Sequence, residues 1–186
     1  MKQFIQEFAG IDDSTAQAFV DLFTYSSLKK GDNFISEGET GHKVAFIKEG
    51  LLRSYYISPK GDEYNKHFFL AGVFVAPLTS LVLKTPSPLY IGALENTSLL
   101  IADYNDVEKL YKEKPLLNRL GRILVEFAWI GKERRETQLI MTDARERYKT
   151  FIDEYPGLEQ RIPQYHIASY LGITPVQLSR IRSSKN

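Results

Sequence analysis

A chain of 186 residues that is 43% apolar and 25% charged has the composition of a soluble globular protein, with room for one large domain or two small ones. It contains no cysteine, which excludes disulfides, thiolate zinc sites, cysteine-ligated iron–sulfur clusters and cysteine catalysis together. The formal net charge is only +1 but is unevenly spread: residues 1–112 hold 11 Lys+Arg against 14 Asp+Glu, whereas residues 161–186 carry Arg161, Arg180, Arg182 and Lys185 and no acid. A basic, acid-free end is what phosphate binding requires, although a solvated tail has the same charge. No apolar run approaches the roughly 18 residues of a membrane span, and MKQFIQEFAG lacks the apolar core of a signal peptide. A cytoplasmic location is expected.

In residues 2–24, Phe4, Ile5, Phe8, Ala16, Phe19, Val20 and Phe23 recur at helical spacing. Asp12-Asp13-Ser14 supplies cap chemistry for a second short helix. From Ser27 to Asp103 the texture changes. Glycines at 31, 38, 41, 50, 61, 72 and 92 punctuate short β-prone runs at Asn33–Ser36, Lys43–Lys48, Leu51–Ile57, Tyr64–Phe69 and Ser98–Ala102. SPKGDE at 58–63 has the form of a hairpin turn with Gly61 at the positive-φ position. The pattern predicts an antiparallel barrel or sandwich, of jelly-roll type.

Tyr104–Lys112 is expected to be a short helix that stops before Pro115. From Pro115 to about Met141 runs the longest helical pattern in the chain. One stripe passes through Leu116, Leu120, Ile123, Phe127, Ile130, Arg134, Thr137 and Met141 in alternating steps of 4 and 3. Leu117, Leu124, Ala128 and Gly131 widen the apolar face. The heptad spacing suits a helix that packs on the barrel with one side and pairs with its copy on the other. The alternative is a helix lying on its own barrel, but about 40 Å of helix is long for a small barrel to cover. Asp143–Tyr155 is a further amphipathic helix, with Ala144, Tyr148, Phe151 and Ile152 on one side and Pro156-Gly157 at its end.

The last stretch is QYHIASYLGITPVQLSRIRS, residues 164–183. Apolar spacing is helical on both sides of Gly172, and Thr174-Pro175 has the form of an N-cap followed by a first helical residue. Two short helices around a glycine turn form the helix-turn-helix pattern of a DNA-binding protein. An ordinary helical hairpin is the bland alternative.

With barrel, long helix and helix-turn-helix in that order, nearly the whole chain resembles the Crp/Fnr (cyclic-AMP receptor protein/FNR) family of bacterial transcriptional regulators. LKKGDNFISEGETGHKVAFIKEGLLRSYYISPKGDEYNKHFFLAGVFV, Asp143 with Arg147, and HIASYLGITPVQLSRIR carry the likeness. It implies an α+β protein: a cyclic-nucleotide-binding-type β-roll effector domain at 1–113, a dimerisation helix at 114–141 and a helix-turn-helix domain at 142–186. It further implies a homodimer on a palindromic duplex DNA site, responding to a small-molecule effector, with RNA polymerase a candidate partner. The dimer seam would use Leu120, Ile123, Phe127, Ile130 and Arg134. Since the chain stops at Asn186, no C-terminal wing is expected to contribute.

Family members that bind cyclic AMP carry Gly-Glu after the Gly-x-Phe strand and Arg-Ser or Arg-Thr about ten residues on, the arginine neutralising the phosphate. GVFVAPLTSL puts Ala76 and Pro77 at the first place, and no arginine stands near Ser87 and Pro88. Lys132 and Glu133, at the positions that would face the purine, are also atypical. A buried phosphodiester without its counter-charge is costly, so cyclic AMP is not expected to bind in the family's manner. Val75, Ala76, Pro77, Leu78, Ser87 and Pro88 would line a pocket for an uncharged or lipid-like effector, or fill the barrel outright. No cofactor is expected.

On the second helix of the motif Val176, Gln177, Ser179, Arg180 and Ser183 should face outward, with Leu178 and Ile181 inward. The resemblance assigns Arg180 to a guanine. Gln177 is suited to adenine, and Thr174, Arg182 and Lys185 to phosphates. An enzyme is not expected: His42, His67 and His166 are widely spaced, and no nucleophile elbow or phosphate-cradling glycine loop is present. The alternative function is a β-roll binding module whose helical end contacts a protein partner instead of DNA.

Overall fold

A computed structural model describes residues 1–183. The chain forms two compact units, Met1–Ser54 with Phe68–Phe127, and Tyr55–His67 with Ala128–Asn186.

The first unit opens with α1 (Lys2–Ala9) and α2 (Asp13–Val20). Gly10 ends α1 in the left-handed conformation, and the Asp12 carboxylate caps α2 by accepting the Thr15 N–H at 2.9 Å. The strands β1 (Thr24–Leu28), β2 (Asn33–Ile35), β3 (Lys43–Glu49), β4 (Leu51–Ile57), β5 (Glu63–Leu70), β6 (Phe74–Val75), β7 (Tyr90–Ala93) and β8 (Thr97–Asp103) follow. They make two four-stranded sheets, ordered β1-β8-β3-β6 and β2-β7-β4-β5. Sequence-distant strands pair antiparallel, Tyr25 against Leu100 and Val44 against Ala102, as a jelly roll demands.

β1, β6 and β7 lie outside the runs expected from sequence, as does α3 (Leu78–Leu83) between β6 and β7. Each is six residues or shorter, too brief for a periodic signal to emerge. The expected hairpin turn is present: Gly61 sits at φ 87° and the Ser58 N–H reaches the Asp62 carbonyl at 2.8 Å.

The first unit has two apolar cores. Ile35, Ala45, Ile47, Leu52, Val75, Ile91, Ala93 and Leu99 fill the roll. Ile5, Ala9, Ala16 and Phe19 pack outside it with Val107 and Leu110 of α4 (Tyr104–Glu113) and with Leu117 and Leu120 of α5 (Leu117–Met141). β3 is therefore buried on both faces: Phe46 points to the helices, where Phe74 also meets Phe4, Phe19 and Phe23 at 6.0–6.2 Å.

The second unit joins the Tyr55–His67 arm of β4 and β5 to residues 128–141 of α5 and to α6 (Ala144–Glu154), α7 (Leu158–Arg161), α8 (Gln164–Leu171) and α9 (Pro175–Ser183). Asp143 caps α6, accepting the N–H groups of Arg145 and Glu146 at 2.8 and 2.9 Å. Tyr148, Phe151, Tyr155, Leu158, Ile162, Ile167, Tyr170, Leu171 and Leu178 form the core, with the Phe151, Tyr155 and Tyr170 rings 5.3–5.9 Å apart.

One backbone position in the roll admits only glycine. Gly50 lies at φ 107°, and an added Cβ would come within 2.6 Å of the Thr97 Cα. Gly50→Ala combines backbone strain with a clash against buried backbone and should cost about 2–4 kcal/mol. A urea-unfolding midpoint that drops without a change in slope would register it.

Candidate nucleic-acid interface

Helix α9 is built to stand proud of its support. Thr174 and Gln177 form a capping box: the Thr174 hydroxyl accepts the Gln177 N–H at 3.2 Å, and the Gln177 side-chain oxygen accepts the Thr174 N–H at 2.9 Å. Pro175 takes the first helical position, where no N–H is needed. Leu178 is 0% exposed and anchors the helix, and Ile181 is half-buried on the same side. Val176, Gln177, Ser179, Arg180 and Ser183 all face solvent.

The predicted contact residues separate on inspection. Arg180 is exposed on the outer face. Gln177 is exposed too, but its side-chain oxygen is committed to the cap, leaving the amide N–H groups to project outward. The Thr174 hydroxyl belongs to the same box. Arg182 is half-buried and close enough to Tyr148 to influence it electrostatically. Lys185 lies outside the described residues.

What holds α9 is α8. Gly172, at φ 69°, turns the chain between them, and an added Cβ there would lie 3.7 Å from Leu139 of α5. The N–H groups of Gly172 and Ile173 return to the Ser169 and Ala168 carbonyls at 3.2 and 3.0 Å. Arg135 of α5 donates to the Tyr170 carbonyl and lies 4.2 Å over the Tyr170 ring. Arg147 of α6 donates through Nε to the Leu171 carbonyl at 3.0 Å and through its terminal nitrogen to the Thr142 carbonyl. Burial, the largest influence on Arg135, lowers its pKa, and its Nη1 is buried without a hydrogen bond. Sequence reasoning singled out Arg147 but passed over Arg135, whose place on the long helix gave no sign of a target 35 residues away.

The predicted dimer seam divides along α5. Leu120 is buried in its own unit and Ile123 packs partly against the same core. Phe127 is 60% exposed, its ring centroid 5.3 Å from that of Phe8, and Trp129, Ile130, Arg134, Leu139, Ile140 and Met141 also face solvent.

In the roll, the residues predicted to line an effector pocket are mostly engaged with one another. Pro77 is buried so tightly on Gly41 that a Cβ there would lie 2.5 Å from the Pro77 Cγ. Ser80 accepts the Gly41 N–H at 2.8 Å and donates to the Thr85 carbonyl. Buried Ser87 donates to the Leu89 carbonyl at 2.7 Å, and its backbone bonds to Gly38 and Glu39. Val75 is in the roll core, Ala76 is half-buried, and Leu78 and Pro88 are exposed. Lys84 ends α3 in the left-handed conformation, 5.5 Å over the Tyr104 ring. A phosphodiester would find no arginine on the Val73–Ile91 segment and would find Ser80 and Ser87 already bonded. Among the described residues there is no group of three or more His, Asp or Glu side chains suited to a metal ion, and no helix long and apolar enough to cross a membrane.

Residues 25–114 match the cyclic nucleotide-binding domain. The chain is 27% identical over 171 residues to the transcriptional activator protein FnrA of Stutzerimonas stutzeri and 26% identical over 167 residues to the transcriptional activator protein anr of Pseudomonas aeruginosa, each alignment taking in 83% of this chain and 67% of the relative. It thus spans about two thirds of the length of these curated relatives, both named as transcriptional activators. Among solved structures it superposes on FixK2 of Bradyrhizobium japonicum with a TM-score of 0.77 at 22% identity, over 87% of this chain and 83% of that one. The CLP regulator of Xanthomonas campestris, described as responsive to c-di-GMP, gives 0.74 at 14% identity over 93% and 91%. The chain thus carries a cyclic nucleotide-binding domain at residues 25–114, is homologous to FNR-type transcriptional activators and shares the fold of the FixK2 and CLP regulators.

Proposed function

We propose that the chain is a dimeric transcriptional regulator that binds a two-fold symmetric duplex DNA site through α9. The observation that carries this reading is the outer face of that helix. Val176, Gln177, Ser179, Arg180 and Ser183 are exposed on a helix capped and anchored so firmly that its side chains are presented at fixed angles. The surrounding segment is basic and free of acid, and the relatives named as transcriptional activators support the same role. Arg180 would make a forked contact to a guanine, worth about 1–3 kcal/mol of discrimination. Gln177 would offer its amide N–H groups to a base acceptor while its oxygen keeps the cap.

Dimer formation would use the apolar residues of α5 that its own chain leaves in solvent: Phe127, Trp129, Ile130 and, nearer the end, Leu139, Ile140 and Met141. Pairing with a second copy of the helix would remove them from water and set two copies of α9 about one axis. The roll would act as the effector domain without a cyclic nucleotide held in the family's manner. Pro77 against Gly41 and the self-bonded Ser80 and Ser87 support a filled site.

Four measurements test the proposal. Binding to a preferred duplex should weaken steeply and log-linearly with salt; weak, salt-insensitive binding would point to a protein partner instead. Arg180→Ala should lose about 5- to 150-fold in preference for the specific over a scrambled duplex, the equivalent of that discrimination energy, while nonspecific affinity largely survives. Calorimetry with cyclic AMP and cyclic GMP should give no binding heat, and micromolar affinity for either would overturn the filled-site reading. In sedimentation, the full chain should run as a dimer and Ile130→Glu as a monomer.

A further inference from the structure

We propose that the Glu63–His67 edge of the β4–β5 hairpin is a latch on α8 that opens on acidification, with His166 as its proton sensor. The latch is a compact set of hydrogen bonds inside the second unit. The Ser169 hydroxyl donates to the Glu63 carbonyl at 2.7 Å and accepts the Asn65 N–H at 2.9 Å, so one α8 side chain completes the pairing of a strand edge. Asn65, itself buried, sends its side-chain Nδ2 to the His166 carbonyl at 3.1 Å and to the His166 Nδ1 at 3.3 Å.

That last contact dictates a protonation state. The carbonyl fixes which end of the Asn65 amide faces α8, because the flipped amide would set oxygen against oxygen. An amide nitrogen can only donate, so His166 Nδ1 must present its lone pair and the ring must be neutral. A proton on Nδ1 would set N–H against N–H. His166 is 3% exposed, so water cannot relieve that conflict while the latch is shut.

His67, two positions along β5 from Asn65, adds to the same bias. Its Nδ1 lies 3.2 Å from the Tyr155 hydroxyl. Burial of the ring first, and then the charges of Lys66 and Arg135, push its pKa down to about 4, but the residue as a whole is exposed and solvent weakens these influences. Arg135 in turn feels the charges of Tyr170 of α8, Arg147 and Glu154 of α6, and Tyr155. His166 itself faces Asn65 and the adjoining Tyr165 ring.

The direction with pH follows. The shut latch excludes the proton, whereas in the open state the ring titrates near its ordinary value of about 6.5. The latch is at full strength above that pH and weakens as pH falls through it, by about tenfold at pH 5.5.

Amide hydrogen exchange on the full chain tests this without DNA, so its failure is separate from any failure of the regulator reading. After correction for intrinsic rates, protection of amides 63–67 should fall about tenfold from pH 7.5 to pH 5.5, while the α6 amides hold. His166→Asn keeps an acceptor near the Nδ1 position without a titrating proton, and should show equal protection at both pH values. Asn65→Ala should be poorly protected at both. The proposal is overturned if wild-type protection is the same at the two pH values, if α6 loses protection in step with the hairpin, or if His166→Asn retains the wild-type difference.

Discussion

A helix ends with four carbonyls that its own backbone cannot satisfy, and the helical unit is organised around meeting that demand at the end of α8. The Ala168 and Ser169 carbonyls take the N–H groups of Ile173 and Gly172, and those of Tyr170 and Leu171 take the guanidiniums of Arg135 and Arg147. Cations at a helix C-terminus also oppose its dipole, so the two arginines stabilise what they orient. They come from different helices, α5 and α6, and so tie the turn at Gly172 to both. The angle at which α9 leaves that turn is thereby set by residues that never reach the outer face.

The orphaned Nη1 of Arg135 belongs to the same logic. A buried donor without a partner costs about 1–3 kcal/mol. It is tolerated because the other nitrogen and the Tyr170 ring hold the guanidinium where the carbonyl needs it. A lysine could serve the carbonyl, but it has no planar group to lie over the ring.

Much of this was legible in the chain, and the rest was hidden for identifiable reasons. Gly172 between two helical spacings, followed by Thr174-Pro175, announced α8, the turn and α9, because each of those residues has a local conformational duty. Asp12-Asp13-Ser14 announced the cap of α2 for the same reason, whereas the cap that Asp143 gives α6 emerged only in the structure. The alternation of four and three on α5 announced its length but not its division of labour. Leu120 and Phe127 lie on one stripe, yet the first is core and the second faces solvent, because α1 and α4 cover only the first turns. Short elements such as β6 and α7 carry too few residues to show a period. The Asn65–His166 and Ser169–Glu63 contacts were beyond reach for another reason: the partners are 101 and 106 residues apart, and none is unusual for its own element.

On the proposed DNA-reading role, the capping box of α9 constrains how the helix can diversify. Gln177 lies on the exposed face yet starts the helix, so a change there that altered the preferred base would also loosen the frame that aims its neighbours. Val176, Ser179 and Ser183 take no part in the Thr174–Gln177 cap and can vary at small structural cost. Descendants of this chain acquiring new operators would therefore be expected to drift first at those three positions, with position 177 confined to residues such as Glu that can close the same box.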